Sequence, residues 1–417
     1  MAAICAAVIR STSRCTGSGN GSSRWASRSA SSQGPVITFE FGLNWGPFGS
    51  ATGPVVAPII GMEVVTAFFV EAGFIGVMLY GDGRVKERTV FLSCCIVALG
   101  TVLSTTWIIA ANSWMQTPSG FRIVDGRFEP TDWWQVIFSP SFGWRFPHML
   151  LAVLIAASLM IGGIGAYYLL KDRERAFGKR TVSLVLGVLA MLLPLQVYIG
   201  DHVAGDYVAQ DQPAKLQALE GNWDSTNSGY NIFVIPDPAN ERNKVQLSVP
   251  MVGSWTGAHD LSGATPTPGL LQTPAADRPN MWTVFWGFRV MFYASIVMFA
   301  AVFTGIVLRL RRRLFSTPWF HRLLVWLTPI GVLAIIGGWV TAETGRQPWI
   351  VYGYLRTSQA VSHLATGQLI FSVIGFMAIY LTLLTVWVTY VVRNVRRGPE
   401  PLEDLTAGAA GVVAEGA

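Results

Sequence analysis

The sequence predicts an all-α protein: a polytopic transmembrane helix bundle of about seven intact spans plus a remnant, with one extracytoplasmic loop domain. Three observations predict it. Of the 417 residues, 51% are hydrophobic and only 13% charged, against about 25% charged in a soluble domain. Charge-poor apolar runs recur at about 20 residues, the length that crosses a bilayer as a helix. Finally, loops rich and poor in Lys and Arg alternate along the chain.

The apolar runs place spans at 55–80, 89–111, 146–170, 181–200, 285–308, 323–342 and 364–392. Residues 34–45 look like the end of a further helix, cut short. The basic loops hold Arg84, Lys86 and Arg88; Lys171, Arg173, Arg175, Lys179 and Arg180; Arg309, Arg311, Arg312, Arg313 and Arg322; and Arg393, Arg396 and Arg397. By the positive-inside rule these loops are cytoplasmic. The polar stretch 201–280 and the segment Gly-Arg-Gln-Pro-Trp (345–349) are then extracytoplasmic. The expected divisions are a leader (1–33), an N-terminal bundle (34–200), the loop (201–280), a C-terminal bundle (281–395) and a cytoplasmic tail (396–417). The net charge of +6 sits in loops, so nucleic acid is not implied. Cys94 and Cys95 are adjacent inside an apolar run, with no disulfide framework or zinc spacing.

Residues 1–33 are rich in Ser, Arg and Gly and contain no Asp or Glu. Such a leader can mimic a transit peptide. The reading preferred is disordered or wrongly translated sequence standing where a helix belongs.

Ionisable groups in hydrocarbon cost about 2.5–3.5 kcal/mol or more and mark function. Glu63, Glu71, His148 and Glu343 all lie in or at the ends of apolar segments. Glu63 and Glu71 share one predicted helix, where eight residues place them about 80° apart and about 12 Å along the axis. They line one polar seam, which Ser104 on the next helix extends, or they are structural carboxylates. His148 and Met291 fall near the same membrane face, and imidazole and thioether are both haem-iron ligand types. The plainer reading is an interfacial histidine and a core-filling methionine. Arg289 is either a partner for a haem propionate or a snorkelling arginine. Lys215 and Glu220, five apart on an expected short helix, are either proton-handling groups or a solvated pair. Trp339 precedes Glu343 by one turn and shares its face. His202, His259, His321 and His363 are read as loop or boundary residues without metal.

Seven strings in order carry a resemblance. They are Phe-Glu-Phe-Gly-Leu-Asn-Trp (39–45), Met-Glu-Val-Val-Thr-Ala-Phe-Phe-Val-Glu (62–71), Ala-Asn-Ser-Trp-Met-Gln-Thr-Pro (111–118) and Arg-Phe-Pro-His (145–148), then Gln-Pro-Ala-Lys-Leu-Gln-Ala-Leu-Glu (212–220), Phe-Arg-Val-Met (288–291) and Gly-Arg-Gln-Pro-Trp (345–349). Together they resemble subunit I of the cytochrome bd quinol oxidases, in members with a short quinol loop.

The resemblance implies a haem-containing quinol:oxygen oxidoreductase of a respiratory chain, multi-pass in the bacterial cytoplasmic membrane. His148 and Met291 become ligands of a low-spin haem b, and Glu343 the axial ligand of a high-spin haem b. Trp339 packs on a porphyrin, and Arg289 and Arg346 hold propionates. Glu63 lies beside a third haem (haem d or another haem b) and Glu71 in a proton path. Lys215 and Glu220 bind quinol. Subunit II and small single-helix subunits are the implied partners, with O2 and the lipid bilayer. The family's first of nine helices carries a haem-ligating histidine; residues 1–33 contain none. Two alternatives stand beside this reading: an incomplete copy keeping only the quinol-side b haem, and a transporter with intramembrane carboxylates, which predicts no haem.

Overall fold

The computed structural model describes residues 44–398, apart from 82–83, 226–228, 258–261 and 263–266. The leader, most of the 34–45 remnant, the tail from 399 and His259 lie outside the described residues, as does the side chain of His202.

The helices are α1 (Gly46–Glu63), α2 (Phe69–Tyr80), α3 (Glu87–Gln116), α4 (Trp133–Ile137), α5 (Phe142–Leu170), α6 (Arg175–Tyr198), α7 (Ala204–Asp211) and α8 (Pro213–Glu220), followed by α9 (Met281–Leu310), α10 (Pro318–Trp326), α11 (Ile330–Thr344) and α12 (Thr366–Arg397). Among the described residues, three two-stranded sheets decorate them: β1 (Phe121–Val124) with β2 (Arg127–Pro130), β3 (Tyr230–Asp237) with β4 (Arg242–Val249), and β5 (Trp349–Val351) with β6 (Leu355–Arg356).

Among the described residues, seven helical stretches are long and apolar enough to cross a membrane. They are the seven read from the sequence, most of them starting earlier; the last starts two residues later, at Thr366. Hydropathy discounts the polar residues that start helices. Asn280 caps α9 by accepting from the Thr283 amide at 3.2 Å, and Pro318 opens α10 at its first turn, where its missing N–H costs nothing. Extra turns of this kind lie outside any apolar window.

The chain divides into two units: residues 1–111, 122–130 and 361–417, and residues 112–121 and 131–360. In the first, α1 runs into a π-helical turn, Val64–Phe68, before α2 continues. This corrects the helical offset expected between Glu63 and Glu71. A π turn bonds i to i+5 and acts as one inserted residue. The two carboxylates then lie within about 20° of one face rather than about 80° apart.

In the second unit, α5 packs on α6 and α11, and α9 packs on the same two helices. α5 and α9 therefore stand across from each other. The core between them holds Leu159 of α5, Leu189 and Leu193 of α6, Met298 of α9 and Ala334 of α11. Lipid is as apolar as leucine, so close packing through small residues holds such bundles. A Cβ on Gly337 would come within 2.7 Å of the Gly287 carbonyl oxygen, so α9 and α11 nearly touch there. α5 and α6 touch similarly, where a Cβ on Gly178 would meet the Gly165 oxygen at 2.8 Å.

The segment after α6 folds back through α7 and α8. Gly221 ends α8 with φ 72°, a left-handed residue that favours glycine. A Cβ there would meet the Phe285 ring at 2.9 Å, which brings Glu220 down on α9.

Candidate functional site

Three helix ends meet at one end of the second unit: the C-termini of α3 and α11 and the N-terminus of α5. Glu343, in the last turn of α11, has both carboxylate oxygens engaged. Oε1 accepts from Asn112 Nδ2 at 2.8 Å. Oε2 accepts from Arg346 Nη2 at 2.7 Å. Asn112 turns its oxygen to the Arg145 guanidinium. Gln116, one turn after Asn112 on α3, accepts from Lys215 Nζ at 2.7 Å and donates to the Ala342 carbonyl at 3.2 Å. Gln212 adds a bond to the Gln116 carbonyl at 2.7 Å.

This cluster buries Arg145, Lys215 and Arg346 around the single carboxylate of Glu343. Burial, with Arg145 and Arg346 nearby, pulls the Lys215 ammonium well below its ordinary value, and Glu343 opposes that shift. Lys215 is 4% exposed and Glu220 7%. The solvated-pair reading of these residues is therefore overturned.

Glu220 faces a different network. Burial raises its carboxyl above the usual range; Arg289 opposes this and Asp201 adds to it. Arg289 is fully buried. Its Nε and Nη2 donate to the Asn231 carbonyl at 3.0 and 2.7 Å. The rings of Phe285, Tyr230 and Phe288 surround its Cζ at 4.4, 4.5 and 5.1 Å. These stacked rings fix a guanidinium far more firmly than a surface arginine. Three buried polar atoms here have no partner among the described residues: Glu220 Oε2, Arg289 Nη1 and the Tyr230 hydroxyl. Unpaired buried groups are rare and call for a ligand or a role.

His148 sits in the second turn of α5, with Nε2 at 3.2 Å from Gln196 Nε2 of α6. Met291 sits on α9, packed against the bundle core. α5 and α9 face each other across the bundle; the His148 ring lies against Gln196 and Gly200, and Met291 Sδ lies against Gly338 of α11. Glycine lies against both: a Cβ on Gly200 would come within 2.9 Å of His148 Cε1, and one on Gly338 within 2.9 Å of Met291 Sδ.

In the first unit, Ser104 donates to Glu63 Oε1 at 2.8 Å, and Thr101 donates to Glu71 Oε1 at 2.7 Å. Both carboxylates thus reach α3, as the π turn dictates. Between them, Trp107 Nε1 donates to Thr66 Oγ1 at 2.8 Å. Trp339 stays 38% exposed on α11. His321, read from the sequence as a loop or boundary residue, is instead buried in the first turn of α10, with Nε2 at 2.9 Å from the Leu314 carbonyl.

Haem is the group the resemblance implies, and the side chains present suit it. Arg145 Nε, Arg346 Nε and Nη1 and Arg289 Nη1 are buried donors without partners, matched to propionate oxygens. Gly338 keeps the Met291 sulfur clear of a side-chain wall, and Gly200 leaves room beside the His148 ring, whose Nε2 meets Gln196. Among the described residues, no three His, Cys, Asp or Glu side chains form a cage for a bare metal ion.

Several residues went unassigned in the sequence: Asn112, Gln116, Arg145, Gln196, Tyr230 and Asn231. Arg145 had a readable signal, an arginine three residues before His148 at the head of an apolar run. The others meet partners far along the chain, Tyr230 through its ring and the rest through hydrogen bonds, which no local pattern reveals.

A family profile described as cytochrome bd terminal oxidase subunit I matches residues 31–399. Subunit 1 of the Bacillus subtilis cytochrome bd ubiquinol oxidase is 32% identical, over 88% of this chain and 80% of its own length. Subunit 1 of the Escherichia coli cytochrome bd-II ubiquinol oxidase is 29% identical, over 89% and 85%. The solved bd oxidase from Geobacillus thermodenitrificans superposes with a TM-score of 0.78 at 27% identity, over 88% of this chain and 84% of that one.

Proposed function

This chain belongs to the cytochrome bd terminal oxidase subunit I family, and from that premise we propose how its residues divide the work of a membrane quinol oxidase. It is an enzyme of electron transport, with quinol and oxygen as the family's substrates and haem as its cofactor class. Neither the transporter alternative nor the incomplete copy draws support from these relatives.

Lys215 and Glu220 bind the quinol headgroup and take its hydroxyl protons. The observation that carries this is their burial in a loop segment with both groups shifted towards neutrality. A lysine held below its ordinary pKa is more available as a neutral base, and a carboxylate whose pKa is raised takes a hydroxyl proton more strongly than an exposed one. Arg289 and Arg346 steady anionic propionates. His148 and Met291 ligate a low-spin haem b, and Glu343 a high-spin haem b; the third haem is haem d or another haem b. Haem supplies the one-electron carriers and the iron at which oxygen is reduced to water. Glu63, with Ser104, and Glu71, with Thr101, hold protons within the bilayer and pass them inward.

The chain works in the bacterial cytoplasmic membrane, with loop 201–280 outside, beside a subunit II and small single-helix subunits. The test is spectroscopic. Purified complex is mixed with a short-chain quinol under argon. The reading expects b-type bands to appear at once, and air to bleach them. A protein with no haem bands, or bands that quinol leaves untouched, would refute it.

A further inference from the structure

Asn231 stands at the start of the β3–β4 hairpin and is fully buried. Its Nδ2 donates to the Glu220 carbonyl at 2.9 Å and to Asn222 Oδ1 at 2.8 Å. Its Oδ1 accepts from Gln246 Nε2 at 2.9 Å and from Ser248 Oγ at 2.6 Å. Its backbone carbonyl takes the fork of Arg289, Nε at 3.0 Å and Nη2 at 2.7 Å. An amide side chain offers two donor hydrogens and an oxygen with two lone pairs. All four are used, and the partners come from the end of α8, the turn after it and strand β4, while the backbone holds α9.

A saturated buried network of this kind specifies one geometry. The contrast with its neighbours is informative. Glu220 Oε2, Arg289 Nη1 and the hydroxyl of Tyr230, the residue before Asn231, are buried and unpaired. The paired amide is the frame, and the unpaired atoms around it are the groups left to meet a ligand. Burial also raises the Tyr230 phenol, which therefore keeps its proton and stays a hydrogen-bond donor.

We propose that Asn231 is a positioning residue of the quinol site, fixing the Glu220 carboxylate at a set place beside the Arg289 guanidinium, so that a quinol hydroxyl meets Glu220 while Arg289 stays directed at its propionate. The proposal rests on the reading of Glu220 as a quinol-binding residue. Asn231 itself touches no reacting atom. Its side chain anchors the backbone of the base and its main chain anchors the cation, so a shift of Asn231 moves both at once.

The experiment compares Asn231→Ala, Asn231→Ser and Glu220→Gln, singly and as Asn231→Ala/Glu220→Gln, in the haem-loaded complex with a short-chain ubiquinol. The single Asn231 variants should keep haem content and the dithionite-reduced spectrum. Their KM for quinol should rise roughly three- to tenfold, the scale of one or two lost hydrogen bonds, with kcat within roughly twofold. The double variant should be no worse than Glu220→Gln alone, because residues acting as one unit are not additive. Wild-type KM in both Asn231 variants overturns the proposal, as does a double variant whose losses simply multiply. Loss of haem from both would assign Asn231 to folding alone and overturn it too. If Glu220→Gln is impaired while the Asn231 variants are normal, only the positioning role falls. If Glu220→Gln turns over quinol like wild type, the quinol-site reading fails and takes the positioning role with it.

Discussion

Lys215 and Glu220 lie on one eight-residue helix and point into separate buried networks. Five residues turn a helix by about 500°, which leaves the two side chains about 140° apart. Lys215 reaches Gln116 at the end of α3. Glu220 looks towards Arg289 on α9. A substrate handled by both would have to bridge from one network to the other, so the two residues are separable by mutation.

Lys215→Ala and Glu220→Ala should each impair quinol oxidation by roughly tenfold or more, the lower end of general-base effects. Neither residue is among the haem ligands proposed, so haem content should stay normal. Steady-state oxygen uptake with quinol, set against the extracted pigment, checks this. Wild-type turnover in both variants would remove them from the quinol site.

The pH profile should carry the mark of Glu220. It accepts a proton only when ionised, and burial holds its pKa above the ordinary carboxylate value of about 4.3. Quinol kcat/KM should therefore fall as pH drops through that raised value, at a pH where an exposed glutamate is still fully ionised. Glu220→Gln should lower the rate and abolish that acid limb. A wild-type profile that stays flat down to the ordinary carboxylate range would contradict the assignment.

His148→Ala and Met291→Leu should each remove one b-type haem signal while the protein remains in the membrane. The two side chains come from helices that face each other across the bundle, and each is one of the pair proposed to hold the haem iron. Reduced-minus-oxidised spectra decide the matter; an unchanged spectrum in both variants rules the pairing out.

Gly337→Ala should destabilise the protein by about 1–3 kcal/mol, the usual cost of overpacking. The added Cβ would meet the Gly287 carbonyl at 2.7 Å, a backbone atom that cannot swing aside. Gly187→Ala, where a Cβ meets nothing within 4 Å, is the control and should be neutral or better. Thermal unfolding in detergent, followed by loss of the haem bands, measures the difference.

The seven spans were legible because an apolar run is a property of consecutive residues. Their ends were not, since Asn280 and Pro318 count against a hydropathy window while starting a helix. Glu343, Glu63 and Glu71 announced themselves as charges in hydrocarbon. Arg145 belonged to the same class and was passed over beside His148. What the chain's order hides is partnership: Asn112 meets Glu343 across 231 residues, and Asn231 gathers Glu220, Gln246, Ser248 and Arg289. The burial of Lys215 was hidden for the same reason, because the cations around it arrive from α5 and from the turn after α11.

The π turn at Val64–Phe68 gives the first span one residue more than its length needs. Regularising that turn into α-helix with no residue deleted would leave a span of almost unchanged reach and remove no carboxylate. It would nonetheless rotate Glu63 by about 100° relative to Glu71 and uncouple one of them from α3. The spacing between the two glutamates, and not only their identity, is therefore part of what the gene has to preserve. A regularised span with every acidic residue intact would no longer present both glutamates to α3.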